Sequence, residues 1–337
     1  MTHDHDHAHD HAPADEAARF LVTANQLGHT VTVLDAADLT EVARVATPPE
    51  PHMVVFDARR GLLYVAITYR DGFYDAHGDH GHEIAVIDTA TWRTVDVLDL
   101  APYAGPHDLH IDTGRDALYV ACESHGGCLL VVDLATRRPA GHIPTRAPGP
   151  HWLAVTPDHA KAYTGNKEAP FLSVLDLETR RMTGTVEMPT GSEDLEVSPD
   201  GRFLYANDRD RPLLHLVETA TDREVGTVPL PDKPHRLHVT PAGLVAITHF
   251  HFPWDFDKPH PGSVTLVDPD ARAVVHRITV GAGPLGITSD PEGRHLYVDN
   301  ANDGTMTVID AATCEVTATV PLDRGAHEVI HIQPSAR

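Results

Sequence analysis

Short apolar runs alternate with turn residues along almost the whole chain. A recurring motif consists of a small residue or proline, a polar residue and then apolar residues, and it begins at positions 51, 106, 150, 192, 234, 284 and 326. Each motif but the last is followed by a turn such as TPDH or SPDG and by further runs rich in aromatic and β-branched residues, which predict strands. A period of about 40 residues is typical of β-propeller blades and not of helical solenoids.

Seven sets of four such runs predict an all-β fold, a seven-bladed β-propeller formed by residues 18–337. The N-terminal set lacks a first strand, while the C-terminal run AHEVIHI has no partners of its own. We therefore expect residues 327–332 to form the inner strand of the blade that contains residues 20–25. This pairing closes the ring and removes strand edges that would otherwise favour aggregation.

Histidines recur where the innermost strand of each blade begins, a position that faces the mouth of the central channel. The residues there are His52, His107, His151, Glu193, His235, Leu285 and His327. Three residues further along, where small or apolar side chains are expected, the chain has His110, Glu196 and His238. Such groups are costly to bury unless they are paired or bind a metal. The pattern favours a transition-metal site over its alternative, a hydrogen-bonded His–Glu–His network.

The net charge, the apolar runs and the N-terminal sequence indicate which partners and which location to expect. The 337 residues include 26 histidines, and the formal net charge is -23, which favours cations and excludes nucleic acid as a partner. We expect no membrane insertion, because no apolar run approaches about eighteen residues. Residues 1–17 begin with alternating His and Asp and predict a disordered metal-binding tail. This start does not resemble a signal peptide, so we expect a cytoplasmic protein, or an extracytoplasmic one if a signal peptide has been removed.

Two enlarged loops on the histidine-bearing face predict a lid or an accessory site. They carry His77, His80, His82, His249, His251 and His260. A third loop holds Glu123 and His125 between Cys122 and Cys128. These two cysteines could form a disulfide or remain thiols, and the sequence leaves both possibilities open.

The segments LYVA, AYTGN, LYAND and LYVDN resemble the YVTN-type repeat of bacterial seven-bladed propellers. Together with the tail and the HGDHGH loop, they make the chain similar to the propeller metallochaperones that accompany bacterial ABC-type zinc importers. That resemblance implies zinc at the propeller centre, a flexible His-rich segment that assists transfer, and a metal-receiving partner protein. The ligands it implies are His107, His110, Glu196, His235 and His238. The family is periplasmic, whereas this chain shows no export signal.

A second function class is open. Nitrous oxide reductase and the selenium-binding/methanethiol oxidase family also hold His-bound copper in seven-bladed propellers. By this resemblance the chain would be a metal-dependent oxidoreductase that uses copper or iron at the same central site and acts on a small-molecule substrate. We favour zinc binding and delivery, because an enzyme has less need of a metal-scavenging tail. A plain interaction scaffold would leave the inner histidines unexplained.

Overall fold

The computed structural model describes residues 18–70, 80–123, 126–250 and 260–334. Every regular element in these residues is a β-strand, and the strands form seven four-stranded antiparallel sheets. The predicted all-β, seven-bladed propeller is therefore confirmed. Over the same ranges, no helix is long and apolar enough to cross a membrane.

The blades are numbered in chain order, and each is built from consecutive strands except the first. Blade 1 contains β1 (Phe20–Asn25), β2 (Thr30–Asp35), β3 (Glu41–Ala46) and the C-terminal β28 (Ala326–Ile332). Blades 2 to 4 contain β4 (Pro51–Asp57), β5 (Leu62–Tyr69), β6 (His80–Asp88), β7 (Arg93–Asp99), β8 (Pro106–Asp112), β9 (Ala117–Cys122), β10 (Cys128–Asp133), β11 (Arg138–Pro144), β12 (Pro150–Val155), β13 (Lys161–Asn166), β14 (Phe171–Asp176) and β15 (Arg181–Glu187). Blades 5 to 7 contain β16 (Ser192–Val197), β17 (Phe203–Asp208), β18 (Leu213–Glu218), β19 (Arg223–Pro229), β20 (Leu237–Val239), β21 (Val245–His249), β22 (Pro261–Asp268), β23 (Ala273–Ala282), β24 (Pro284–Ser289), β25 (His295–Asn300), β26 (Thr305–Asp310) and β27 (Glu315–Pro321).

The ring closes through blade 1, as the unmatched ends of the sequence predict. Strand β1 pairs with β2 on one side and with β28 on the other, where Phe20 lies opposite Ile332 and Val22 opposite Ile330. The neighbouring blade approaches β28 very closely at Gly286. A Cβ atom on Gly286 would lie 2.8 Å from backbone atoms of residues 327, 328 and 329. Only glycine allows this approach, so Gly286 permits the ring to close at its last seam.

Burial is greatest in the second strand of a blade and least in the outermost strand. The second strands β5 and β9 are buried along their whole length, because neighbouring blades cover both faces of each sheet. The outermost strand β27 is largely exposed. The aspartates that end the third strands cap the turns that follow, with Asp88 accepting from the Thr91 amide at 2.9 Å and Asp310 from the Thr313 amide at 2.8 Å. The repeat thus builds a rigid frame that directs the inner strands towards one axis.

Candidate metal centre

Four imidazoles from four consecutive blades pack against one another at the axis. They are His327, His52, His107 and His151, which we call the histidine cluster. Their ring centroids lie 3.6 Å apart between His327 and His52, 4.3 Å between His52 and His107, and 3.4 Å between His107 and His151. Each residue is between 0% and 6% exposed. The fold therefore brings together four of the nine predicted ligands.

The cluster contains buried ring nitrogens without hydrogen bonds. Neither ring nitrogen of His107 has a partner among the described residues, and the same holds for Nδ1 of His52 and Nδ1 of His327. His151 differs, because its Nδ1 lies 3.1 Å from Oε1 of Glu123. Leaving a buried polar atom unpaired costs about 1–3 kcal/mol, so these nitrogens call for a ligand or another explanation.

The protonation of the cluster is set by its surroundings. Burial lowers the pKa of all four imidazoles well below the ordinary 6.5, and the charge of Lys167 lowers each of these pKa values further; Arg236 adds to the effect at His52, His107 and His327, and neighbouring imidazoles add to it at His107, His151 and His327. The four rings are consequently neutral at pH 7. Neutral imidazole is the form that binds metal ions, so a metal would not have to displace protons here.

The other side of the channel mouth holds an ion-pair group. Oε1 of Glu193 lies 2.9 Å from Nζ of Lys167 and 3.2 Å from Nε2 of His235, and the His235 ring packs on Phe250 with centroids 4.6 Å apart. Leu285 fills the position in the remaining blade. Glu193 and His235 are thus engaged with each other and with Lys167 beside the histidine cluster. Lys167 was not singled out from the sequence, because it follows a second strand and not a first one.

One buried arginine lies next to the cluster on the inner strands. Arg236 places Nε 2.9 Å from Oδ2 of Asp194 and Nη1 2.8 Å from Oε2 of Glu328, and its guanidinium carbon lies 3.7 Å from the ring centroid of Trp152. Burial raises the pKa of Glu328 and Asp108 to about 7 and that of Asp194 to about 6, while the charge of Arg236 opposes these shifts. We call these residues the axial arginine network.

The sequence interpretation missed this network. Its members occupy the third position of the repeated motif, where the seven blades carry Met53, Asp108, Trp152, Asp194, Arg236, Gly286 and Glu328. Four charged residues at one inner-strand position are unusual, and that signal was available in the sequence. Because Arg236 of blade 6 contacts residues of blades 1, 4 and 5, its side chain reaches across the axis beside the histidine cluster.

The three residues predicted to form a second layer lie in two separate groups. His238 has Nδ1 3.5 Å from Oε2 of Glu196 and Nε2 2.9 Å from Oγ of Ser289. His110 instead contacts the ring of His159, with centroids 5.2 Å apart, and burial lowers the pKa of His110 to about 4. The described contacts therefore join Glu196 to His238 and place His110 with His159. Whether these residues bind a metal stays a prediction.

The enlarged loops are described only in part. Nε2 of His80 lies 3.1 Å from Oε2 of Glu123, and Nδ1 of His249 lies 3.0 Å from the Lys233 carbonyl oxygen. His82 is 3.8 Å from Asp99. Of the loop histidines and the tail named in the sequence analysis, His77, His125, His251 and residues 1–17 lie outside the described ranges.

The two cysteines of the third loop face each other. Cys122 at the end of β9 and Cys128 at the start of β10 are register partners, and both are buried. They are free thiols and do not form the disulfide that the sequence left open.

The rings of the histidine cluster are close together, but they are not arranged as metal ligands. Within the described ranges, no group of three or more His, Cys, Asp or Glu side chains is arranged to hold a metal ion. Tetrahedral zinc with Zn–N distances of about 2.0–2.1 Å would place imidazole centroids about 5 Å apart. Sequential rings of the cluster lie 3.4–4.3 Å apart, so they are packed more closely than ligands would be. Binding would require the rings to separate and turn their nitrogens towards one point.

Comparison with known proteins identifies the fold. No protein-family model and no curated protein sequence matches the chain. Similar solved structures include a periplasmic gluconolactonase of Pseudomonas aeruginosa, with a TM-score of 0.73, 17% identity and coverage of 94% of this chain and 99% of that one. Kuenenia stuttgartiensis hydrazine synthase is similar with a TM-score of 0.69 and 16% identity, and the match covers 84% of this chain and 95% of that one. A functionally unknown protein from Desulfotomaculum acetoxidans is similar with a TM-score of 0.72 and 11% identity, and the match covers 94% of this chain and 99% of that one.

At these identities the likeness shows the propeller fold alone. Membership of the YVTN-type or zinc-metallochaperone families rests on the sequence motifs and stays a prediction.

Proposed function

We propose that this protein binds a transition metal ion at the histidine cluster, with zinc preferred over copper or iron, and delivers it to a partner. The observation that carries the proposal is His107, which is fully buried and has no hydrogen bond to either ring nitrogen among the described residues. A metal bound to one nitrogen would satisfy an atom that otherwise destabilises the fold.

A second buried histidine provides the contrast. His215 is 3% exposed, and its Nδ1 lies 2.5 Å from Glu224 while its Nε2 lies 3.2 Å from Asp208. At this buried position within a blade, the chain supplies a carboxylate for each ring nitrogen. The absence of such partners around His107 supports a ligand role over a structural one.

The electrostatics of the site are compatible with a bound cation. Lys167 and Arg236 lie close enough to lower the pKa values of the cluster, but Glu193 pairs with the first, and Asp194 and Glu328 pair with the second. The formal net charge of -23 also attracts cations to the whole molecule. A divalent ion would thus meet neutral imidazoles and neighbouring cations that are already paired.

Delivery is supported by a path of ligand groups to the surface. The His80 side chain is 35% exposed and its Nε2 lies 3.1 Å from Glu123, whose other oxygen lies 3.1 Å from Nδ1 of His151. One carboxylate therefore links an accessible imidazole to a buried one. The predicted metal-binding tail would add a further source of ions near this entrance.

The test is zinc titration of a full-length tail variant, in competition with a chromogenic chelator. This variant replaces with alanine the five tail histidines His3, His5, His7, His9 and His11. We expect one tightly bound ion per chain, lost when His107→Ala is added and retained when His276→Ala is added, because His276 is exposed on β23. Unchanged stoichiometry and affinity in the His107→Ala protein would contradict the proposal. Retention of the ion by the combined His110→Ala and His238→Ala variant would indicate that the tight site is the histidine cluster and does not need His110 or His238.

A metal-dependent oxidoreductase is the second candidate. The observation that favours it is the group of Lys167, Glu193 and His235 at the same mouth, which offers acid and base groups beside a metal-bound substrate. Copper or iron in protein purified without added metal, together with turnover of a small-molecule substrate, would support this alternative over delivery.

A further inference from the structure

His110 and His159 meet where blade 3 adjoins blade 4, away from the histidine cluster. His110 lies in β8 of blade 3, and His159 lies in the turn between β12 and β13 of blade 4. Their ring centroids are 5.2 Å apart. Asp112 ends β8, and its Oδ2 lies 3.6 Å from Nδ1 of His159. A strand rises about 3.3 Å per residue, so Asp112 lies about 16 Å along β8 from His107 of the cluster.

Both imidazoles have a buried nitrogen without a hydrogen bond. Among the described residues, Nε2 of His110 and Nδ1 of His159 are enclosed by protein and have no hydrogen-bond partner. The 3.6 Å contact between His159 and Asp112 is too long to be a hydrogen bond. Leaving such an atom unpaired costs about 1–3 kcal/mol. A metal ion can accept a lone pair from each of two imidazoles and would satisfy both nitrogens at once.

The repeat makes this pair of histidines unusual. At the register position of His110, blade 2 has Val55. His159 has a φ of +53°, and its amide donates to the Thr156 carbonyl at 2.8 Å. Three later blades place glycine in this left-handed conformation with the same hydrogen bond, at Gly201, Gly243 and Gly293. A side chain in this conformation costs about 1–2 kcal/mol, so two departures from the repeat meet at one blade boundary.

Arg115 holds the two turns at this boundary together. Its Nη1 donates to Oδ2 of Asp112 at 2.8 Å and to the His159 carbonyl oxygen at 2.9 Å. Its Nη2 donates to Oε2 of Glu178 at 3.1 Å. One guanidinium is thus paired with two carboxylates, which leaves one net negative charge beside the imidazoles. This charge favours a cation.

Two separations at this place are close to those between metal ligands. Tetrahedral zinc with ligand atoms at about 2.0–2.1 Å would hold two ligand atoms about 3.4 Å apart and two imidazole centroids about 5 Å apart. The observed values are 3.6 Å for His159 and Asp112 and 5.2 Å for the two rings. As they stand, the three side chains are not arranged to hold an ion. The His159 side chain is 32% exposed, so its ring can turn to bring the ligand atoms together.

We infer that His110, His159 and Asp112 form a second site for a divalent transition metal ion, separate from the proposed site in the histidine cluster. Two imidazoles and one carboxylate suit zinc, copper(II), nickel(II) or iron(II). Because Asp112 also pairs with Arg115, the ion competes with a cation for this carboxylate and binds more weakly than at the cluster. The inference does not depend on the proposed function.

The experiment uses the full-length tail variant that also carries His107→Ala. The readouts are zinc stoichiometry by titration calorimetry and the electron paramagnetic resonance spectrum with copper(II). One test variant is His110→Val, which introduces the residue type that blade 2 has at this position. The other is His159→Gly, which introduces the residue type of the three later blades. We expect each variant to bind one zinc ion fewer than its parent and to lose a copper(II) signal with nitrogen hyperfine splitting.

His295→Ala is the matched control. His295 also lies beside a carboxylate, with its Nδ1 2.9 Å from Oδ2 of Asp290 in blade 7, but that contact is a hydrogen bond. The control should bind as many zinc ions as the parent and keep the copper(II) spectrum.

The outcomes separate this inference from the proposed function. Equal zinc stoichiometry and an equal copper(II) spectrum in His159→Gly and its parent would overturn the inference. If His110→Val fails to fold, His159→Gly still decides the question, because glycine suits this turn and the metal-free variant should unfold at no lower temperature than its parent. Loss of the tight ion in His107→Ala tests the cluster alone. If the cluster binds no ion and His159→Gly still binds one ion fewer, the second site stands and the proposed function does not.

Discussion

The axial arginine network allows a sharp stability prediction. Replacing Arg236 with methionine keeps most of the side-chain length but removes the charge between Asp194 and Glu328, which lie 2.9 and 2.8 Å from the guanidinium nitrogens. Breaking a buried ion pair by removing one partner costs about 3–5 kcal/mol. Folded proteins are stable by only about 5–15 kcal/mol, so the variant should lose a large share of its stability at pH 8.

The loss should depend on pH. The pKa of Asp194 is already about 6 and that of Glu328 about 7, and Arg236 holds both below the values that burial alone would produce. Without Arg236 the folded-state pKa values rise further, whereas in the unfolded chain these groups titrate near 4. At pH values between the unfolded-state and the folded-state pKa values, the folded variant binds more protons than the unfolded one. The free energy of unfolding of the variant therefore falls as pH rises through this range. At pH 5 both carboxyls are protonated in the folded variant, and the loss should be less than half of that at pH 8.

Guanidinium denaturation of the parent and the Arg236→Met protein at pH 5 and pH 8 measures this difference. Arg202→Met is the matched control, because the Arg202 side chain is 72% exposed and its nearest carboxylate oxygen, on Asp200, is 3.9 Å away. Adding Asp194→Asn and Glu328→Gln to Arg236→Met should recover much of the loss at pH 8. An equal loss at both pH values, or a loss below about 1 kcal/mol at pH 8, would refute the reasoning.

Three further predictions follow from other parts of the molecule. Gly286→Ala should destabilise the protein by about 1–3 kcal/mol in thermal or denaturant unfolding, whereas Gly184→Ala should be near neutral, because its nearest neighbour atoms are 3.9 and 4.0 Å away. The pKa of His110 is about 4 in the folded state, below its unfolded value, so its burial costs stability as pH falls below about 6.5. His110→Asn should therefore reduce the loss of stability between pH 7 and pH 5 by about 2 kcal/mol, and an unchanged pH profile would contradict this. Replacing the tail histidines should slow zinc loading in stopped-flow measurements but leave the tight ion in place.

The fold was predictable because its evidence repeats. Seven copies of one motif, with an unmatched run at each end, predict both the number of blades and the pairing of β28 with β1. The meeting of side chains at the axis was predictable only where the repeat itself carries it, as at His52, His107, His151 and His327. Arg236 was missed because a long side chain reaches across the axis to other blades, which repeat spacing does not encode.

His110 and His238 also show what repeat spacing does not predict. His110 and His238 occupy equivalent positions in their strands, yet each meets residues of a neighbouring blade, His159 in one case and Ser289 in the other. Contacts between blades depend on the turn that follows the next strand and on the length of each side chain. Equivalence in the repeat therefore predicts the level along the axis but not the partners at that level.

The seam in blade 1 also has a consequence for biosynthesis. Three rings of the histidine cluster belong to blades 2 to 4, but the fourth, His327, lies on β28, the strand of the propeller that is translated last. A nascent or truncated chain would hold at most three of the four imidazoles and would have an open edge on β1. The complete cluster can assemble only after translation has reached the final strand, so a metal ion that requires all four rings would select finished molecules over partial ones.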